Sequence, residues 1–247
     1  MRLIEFDLDL EYVINEDNVA LLENENGCGK NEATRNDYEL NWKWKRREFS
    51  LQTRCITALF SRLLGYINTS DCKKIVVKCV PEIHGKKTVT YPDGFCDVQI
   101  KFDYNAYTTL DDFDKKKASL EALMDGIRTV AEEKKWIIEP FESVYDRIKE
   151  IRYKNEWVWK KPIKSPDNNA IASVLLQHEI SEITISIIIS NKSGDELFRK
   201  KIMSELPDEW NYARHLGEIK WVSEYEVVLI NKKKDEEWLV NTKDLLL

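Results

Sequence analysis

Histidine is scarce in this chain, with three residues in 247, and glycine and proline are sparse at eight and six. So few turn formers exclude a collagen-like or low-complexity polymer. The cysteines Cys28, Cys55, Cys72, Cys79 and Cys96 are odd in number and lack paired spacing. They read as reduced thiols used mostly in packing, not as a disulfide framework or a zinc knuckle. No long apolar run occurs: the most apolar stretch, Ile183 to Ile189, is interrupted by Thr184 and Ser186, whereas a membrane span needs about 20 residues. Glu5 and Asp7 interrupt the opening segment where a secretory signal needs an uncharged core. These absences lead to the expectation of a soluble, cytoplasmic protein.

What is present supports a packed core. Apolar residues make up 43% of the chain, and eight Trp, ten Tyr and eight Phe carry large burial energies. Charge is unevenly placed. Residues 1–40 hold 11 acids and three bases, net −8, so the rest of the chain carries +2 of the overall −6. An acidic front end precedes a nearly neutral body.

In the opening run Ile4, Phe6, Leu8 and Leu10 alternate with Glu5, Asp7, Asp9 and Glu11, the period of a strand with one packed face and one carboxylate face. Residues 15–41 are rich in Asn, Glu and Gly and read as loop, with one short strand at 19–22. A 3.6 period over 48–67 (Phe49, Ile56, Leu59, Phe60, Leu63, Ile67) predicts a helix capped by Ser50, with Thr53 and Thr57 on its polar side. Residues 72–83 and 95–104, with a turn at Tyr91–Gly94, predict an antiparallel meander. Further helices are expected at 110–135, opened by a Thr109/Asp112 capping box with Phe113 in its buried stripe, and at 140–153 behind Pro140. Beyond Asn155, seven strand-like runs follow without helices between them. The expected fold class is α+β: a mixed or antiparallel sheet with two or three packed helices over 1–155, then an antiparallel β-meander or small sandwich over 156–247, as two parts or one continuous domain.

Signatures of catalysis fail one by one. Asn24–Asn31 approaches a phosphate-binding loop, but Asn24 replaces its first glycine and Asn31 its magnesium-binding hydroxyl, and no helix is expected to follow. His178-Glu179 begins a zinc-protease motif whose fifth position is Glu182, so His178 reads as a partly exposed strand-end residue. No G-x-S-x-G elbow is present, and Cys28 reads as a plain loop thiol. The sequence therefore implies no cofactor and no enzyme.

Two surfaces remain. Like charges aligned along one strand face repel, so Glu5, Asp7, Asp9 and Glu11 need solvent, the lysines of 73–78 or a basic partner. With Glu23 and Glu25 they form the candidate partner-binding set. The acidic, motif-poor α+β character is similar to that of many bacterial immunity proteins, which implies neutralisation of a basic partner such as a nuclease toxin. The alternative is a nucleic-acid surface made of Lys43, Lys45, Arg46 and Arg47 around Trp42 and Trp44, with Trp157, Trp159, Lys160 and Lys161. Tryptophans spaced i, i+2 also suit the inward face of a strand.

Overall fold

The computed structural model describes residues 1–243. The chain forms two compact units, Met1–Tyr153 and Lys154–Leu247. It is an α+β protein, with most helices in the first unit and antiparallel sheets in the second.

The first unit is built on a four-stranded sheet in the order β2-β4-β6-β5, from Glu5–Leu10, Lys74–Val80, Phe95–Lys101 and Thr88–Thr90. A small pair, β1 (Arg2–Leu3) with β3 (Ile67–Asn68), lies apart. The three long strands run parallel, with Asp7 opposite Val76 and Val76 opposite Asp97; only the β5–β6 hairpin is antiparallel. The expected antiparallel meander over 72–104 is thus incorrect. Val80 to Phe95 encloses 14 residues, enough for a parallel crossover. β5 occupies the edge because its three residues bury little, while Cys96, Val98 and Ile100 of β6 continue the apolar rows of Ile75, Val77 and Cys79.

Helices cover one face of this sheet. The helix α3 (Lys43–Leu64) packs along β2, α5 (Asp112–Lys134) crosses β4 and β6, and α6 (Glu139–Glu150) lies against both helices. Phe6 is fully buried between Phe60, with ring centroids 5.1 Å apart, and Phe141 at 6.4 Å. Each such ring contributes about 1.5–3 kcal/mol through burial. Gly126 lets α5 approach the sheet, since a Cβ there would lie 2.4 Å from Val77 Cγ2.

Helix details depart from the sequence reading in instructive ways. Thr53 and Thr57 are buried; the Thr53 hydroxyl is satisfied by the Phe49 carbonyl of the preceding turn. Ser50 lies inside α3, which begins at Lys43, and Ile67 belongs to β3. Asp111 caps α5 by accepting from Asp114 N, in place of the expected capping box, and Phe113 is half exposed.

Residues 15–41 are helical, against the expected loop and short strand. The helix α1 (Glu16–Asn26) starts at Asn15, which accepts from Asn18 N, and ends at Gly27 with φ 61°. That left-handed cap suits glycine. The helix α2 (Lys30–Asp37) follows and runs through a π turn, Tyr38–Trp42, into α3. A short helix α4 (Tyr104–Thr108) follows β6.

The second unit contains the sheet β10-β9-β8-β7 (Glu196–Glu205, Ile183–Ser190, Ile171–His178, Asn155–Lys164) and the sheet β11-β12-β13 (Glu218–Trp221, Glu226–Ile230, Glu237–Asn241), all antiparallel. One core joins them. Val174, Leu176, Ile185 and Ile187 of the larger sheet cluster with Val227, Leu229 and Val240 of the smaller, which is sandwich packing. His178 is fully buried in this unit beside the Tyr212 ring, not partly exposed as expected. The helix α7 (Glu209–Tyr212) connects the sheets in sequence.

Candidate binding site

Alternation along β2 sends Phe6, Leu8 and Leu10 into the core and Glu5, Asp7 and Asp9 to the opposite sheet face. There they meet cations that the sequence places far away. Arg46 donates to both oxygens of Asp9, from Nε at 2.6 Å and Nη2 at 2.8 Å. Lys78, in register with Asp9 on the adjacent strand, donates at 2.6 Å. Arg54, two turns along α3 from Arg46, donates to Asp7 at 2.8 Å, and Lys74 closes on Asp7 and on Glu5. Glu11 accepts from Gln99 at 2.9 Å.

The carboxylate row is therefore held by an Arg46–Arg54 stripe on one side and a lysine strand on the other. Burial disfavours the Asp9 charge, but hydrogen bonds from Arg46 and Lys78 outweigh it and hold its carboxyl below the ordinary value. Lys74 is shifted upward despite its burial, because Asp7 favours the ammonium form. Asp97, beside Lys78 but 3.8 Å from it, behaves oppositely. Burial raises its pKa, and Asp9, Glu11 and Asp93 add repulsion that Lys78 only partly offsets. Asp7, Asp9, Arg46, Lys74, Lys78 and Asp97 line a groove of about 750 Å³ whose charges are mostly consumed within it.

The acidic helix pair α1 and α2 differs. It is anchored by one buried carboxylate, Asp37, which accepts from Tyr12 Oη at 2.7 Å, Asn41 Nδ2 at 2.8 Å and Asn18 Nδ2 at 3.2 Å. Burial works against ionisation of Asp37, but those three donors keep it ionised below the ordinary range. Only Val19 of α1 and Ala33 of α2 are otherwise buried. On the outer side of α1, Asp17, Leu21 and Glu25 succeed one another at four-residue intervals, all exposed, with Leu21 at 59%. Glu16 pairs with Lys30 and Glu39 with Lys43. Asp17, Glu23, Glu25 and Glu32 have no ion pair among the described residues. Lys30 thus serves as a tether between α1 and α2. A helix does begin directly after Gly29, contrary to expectation, yet the segment before it is α1 and not the strand a phosphate loop requires.

The basic-aromatic residues are scattered over different roles. Arg46 is committed to Asp9 and Lys43 to Glu39, while Arg47 is exposed. Trp157 and Trp159 are partly buried and pack against the sandwich core. Lys160 donates to the Gly217 carbonyl and lies over the Trp159 ring; Lys161 is exposed. Among the described residues, no group of three or more His, Cys, Asp or Glu side chains could hold a metal ion. None of the described helices is long and apolar enough to cross a membrane. Comparison of the chain with protein-family models, curated protein sequences and solved structures finds no match.

Sequence reasoning missed the Arg46–Arg54 stripe as a partner of the acidic strand. Their spacing of eight spans about 12 Å of helix, against about 7 Å between Asp7 and Asp9 along the strand, so no simple match of spacings pointed to the pairing.

Proposed function

We propose that this chain is a non-catalytic protein-binding protein that docks a basic partner, such as a nuclease toxin it would neutralise, through the outer side of α1. The observation that carries this reading is the exposed Asp17–Leu21–Glu25 stripe. It combines an apolar anchor with flanking carboxylates that have no ion pair among the described residues. An apolar anchor excludes water at the centre of an interface, while the flanking charges accelerate encounter and reject like-charged partners. The strand carboxylates Asp7 and Asp9 contribute less to docking, because a partner would have to displace Arg46, Arg54, Lys74 and Lys78. Glu23 and Glu25 remain in the docking set.

A photo-crosslinking side chain at position 21, introduced in the native host, tests the proposal. The expected product is a covalent adduct with one strongly basic protein, lost on Asp17→Lys/Glu25→Lys and retained on Glu5→Lys. An adduct indifferent to reversal at 17 and 25, or no adduct at all, would overturn it.

A further inference from the structure

A second cavity, about 520 Å³, opens at the carboxyl ends of β2, β4 and β6, where Leu10, Cys79 and Lys101 line it. In open parallel sheets, crevices outside the carboxyl ends of the strands are a common place for ligands. This cavity has the make-up of a small-molecule site: mostly apolar walls and few polar groups. Leu10 and Cys79 line it together with the aromatic residues Trp42, Phe102 and Tyr104. Trp42 is fixed by the hydrogen bond its Nε1 donates to the Leu10 carbonyl, 3.2 Å, and by edge contact with Tyr12.

Two lysines line the cavity. Lys45 lies 5.5 Å from the Trp42 ring centre, and Lys101 is exposed at the end of β6. Among the described residues neither has a carboxylate within ion-pair distance, although Lys43 and Arg46 of the same helix as Lys45 both do. The one acid in the lining, Asp103, caps α4 by accepting from Ala106 N at 3.0 Å. The charged groove on the sheet face offers no comparable vacancy for an anion, since its cations are spent on Asp7 and Asp9.

We propose that this cavity binds a small aromatic anion, with its ring against Trp42 and Tyr104 and its anionic group between Lys45 and Lys101. A flat ring gains stacking contact with the walls, and the two unpaired cations supply charge-assisted hydrogen bonds. Nucleoside monophosphates and aromatic carboxylic acids share this chemistry.

Protein labelled with ¹⁵N at its indoles provides the test, with the Trp42 signal identified from Trp42→Phe. Adenosine monophosphate or indole-3-acetate should shift that signal saturably at concentrations up to about 10 mM, a range that reaches weak small-ligand affinities. Whichever is tighter identifies the source of the anion. Adenosine and inorganic phosphate, each carrying half of the chemistry, should bind at least about tenfold more weakly. Lys45→Gln/Lys101→Gln should weaken the better ligand by about tenfold or more, with an unchanged urea midpoint to show the fold intact. If neither anion moves the Trp42 signal, or if the double variant binds as well as the parent, the proposal fails.

Discussion

Replacing Asp9 with alanine separates a carboxylate that holds the fold together from one that merely decorates it. Asp9 has 14% of its side chain exposed, Lys78 17% and Arg46 40%. Breaking a fully buried ion pair by deleting one partner costs about 3–5 kcal/mol, and a fully exposed pair about 0–1 kcal/mol. Asp9→Ala lies between these limits. Lys78 retains Asp97 at 3.8 Å and Arg46 retains the Tyr38 hydroxyl at 3.4 Å, so part of the loss is recovered and about 2 kcal/mol is expected. Glu5→Ala is the control. Its side chain is 57% exposed and has one ion pair, at 3.3 Å, so the cost should stay below about 0.5 kcal/mol. Urea unfolding at neutral pH reads both, with an unchanged slope showing that the unfolded state is the same. The pH dependence follows from the depressed Asp9 pKa. Its stabilisation is complete above the ordinary aspartate value of about 4 and is lost as pH falls through the lower folded value. Parent and Asp9→Ala should therefore converge in acid. A cost no larger than that of Glu5→Ala, or a gap that persists undiminished in acid, would refute the reasoning.

Other substitutions probe separate features. Gly126→Ala should destabilise by about 1–3 kcal/mol through overpacking against Val77, and Val77→Ala in the same chain should recover much of that cost; additive losses in a double-mutant cycle would exclude the close approach of α5. Asp37→Ala removes the acceptor shared by Tyr12, Asn18 and Asn41; Tyr12 keeps the Thr34 carbonyl at 3.4 Å and Asn41 is exposed, so about 1 kcal/mol of local stability should be lost, read as faster amide exchange across α1 and α2 but not in the sandwich. Asp97→Asn should stabilise at neutral pH by about 0.5–1 kcal/mol, because burial and neighbouring carboxylates raise the Asp97 pKa and make its charge unfavourable. The folded value lies above the unfolded one, so that penalty fades as pH falls and the advantage of asparagine should vanish below about pH 4 in the same urea assay.

The legible parts of the fold were those with strong apolar periodicity. The alternation of β2, the rows of α3 and α5 and the strand-turn spacing after Asn155 all report directly on burial. Misreadings arose where burial is slight or where one pattern serves two topologies. In α1 and α2 only Val19, Ala33 and Asp37 are buried, so no apolar stripe marks the helices; Asn15, Gly27 and the Asp37 hydrogen bonds hold them instead. Alternation in β6 and the turn signal at Tyr91–Gly94 suggested antiparallel pairing, because parallel strands are usually buried on both faces. Here helices cover one face and charged side chains occupy the other, so a parallel sheet carries the pattern of an antiparallel one.

The excess negative charge of the first 40 residues was visible at once, but its meaning depends on partners no local pattern reveals. Arg46 is 37 positions from Asp9, Arg54 is 47 from Asp7, and Lys78 is 69 from Asp9. Folding brings all three onto the strand carboxylates, and their attraction offsets the repulsion within the row. Among the described residues, the carboxylates of α1 have no such compensation beyond Lys30, which pairs with Glu16 and also attracts Glu23. Two stretches with the same sign of charge consequently have opposite physical roles. On β2 the charges are internal counterions for a helix and a neighbouring strand, so reversing Asp9 attacks stability first. On α1 they are solvated and cost the fold little to reverse, which makes Asp17 and Glu25 the positions where charge reversal can report on a partner without unfolding the protein.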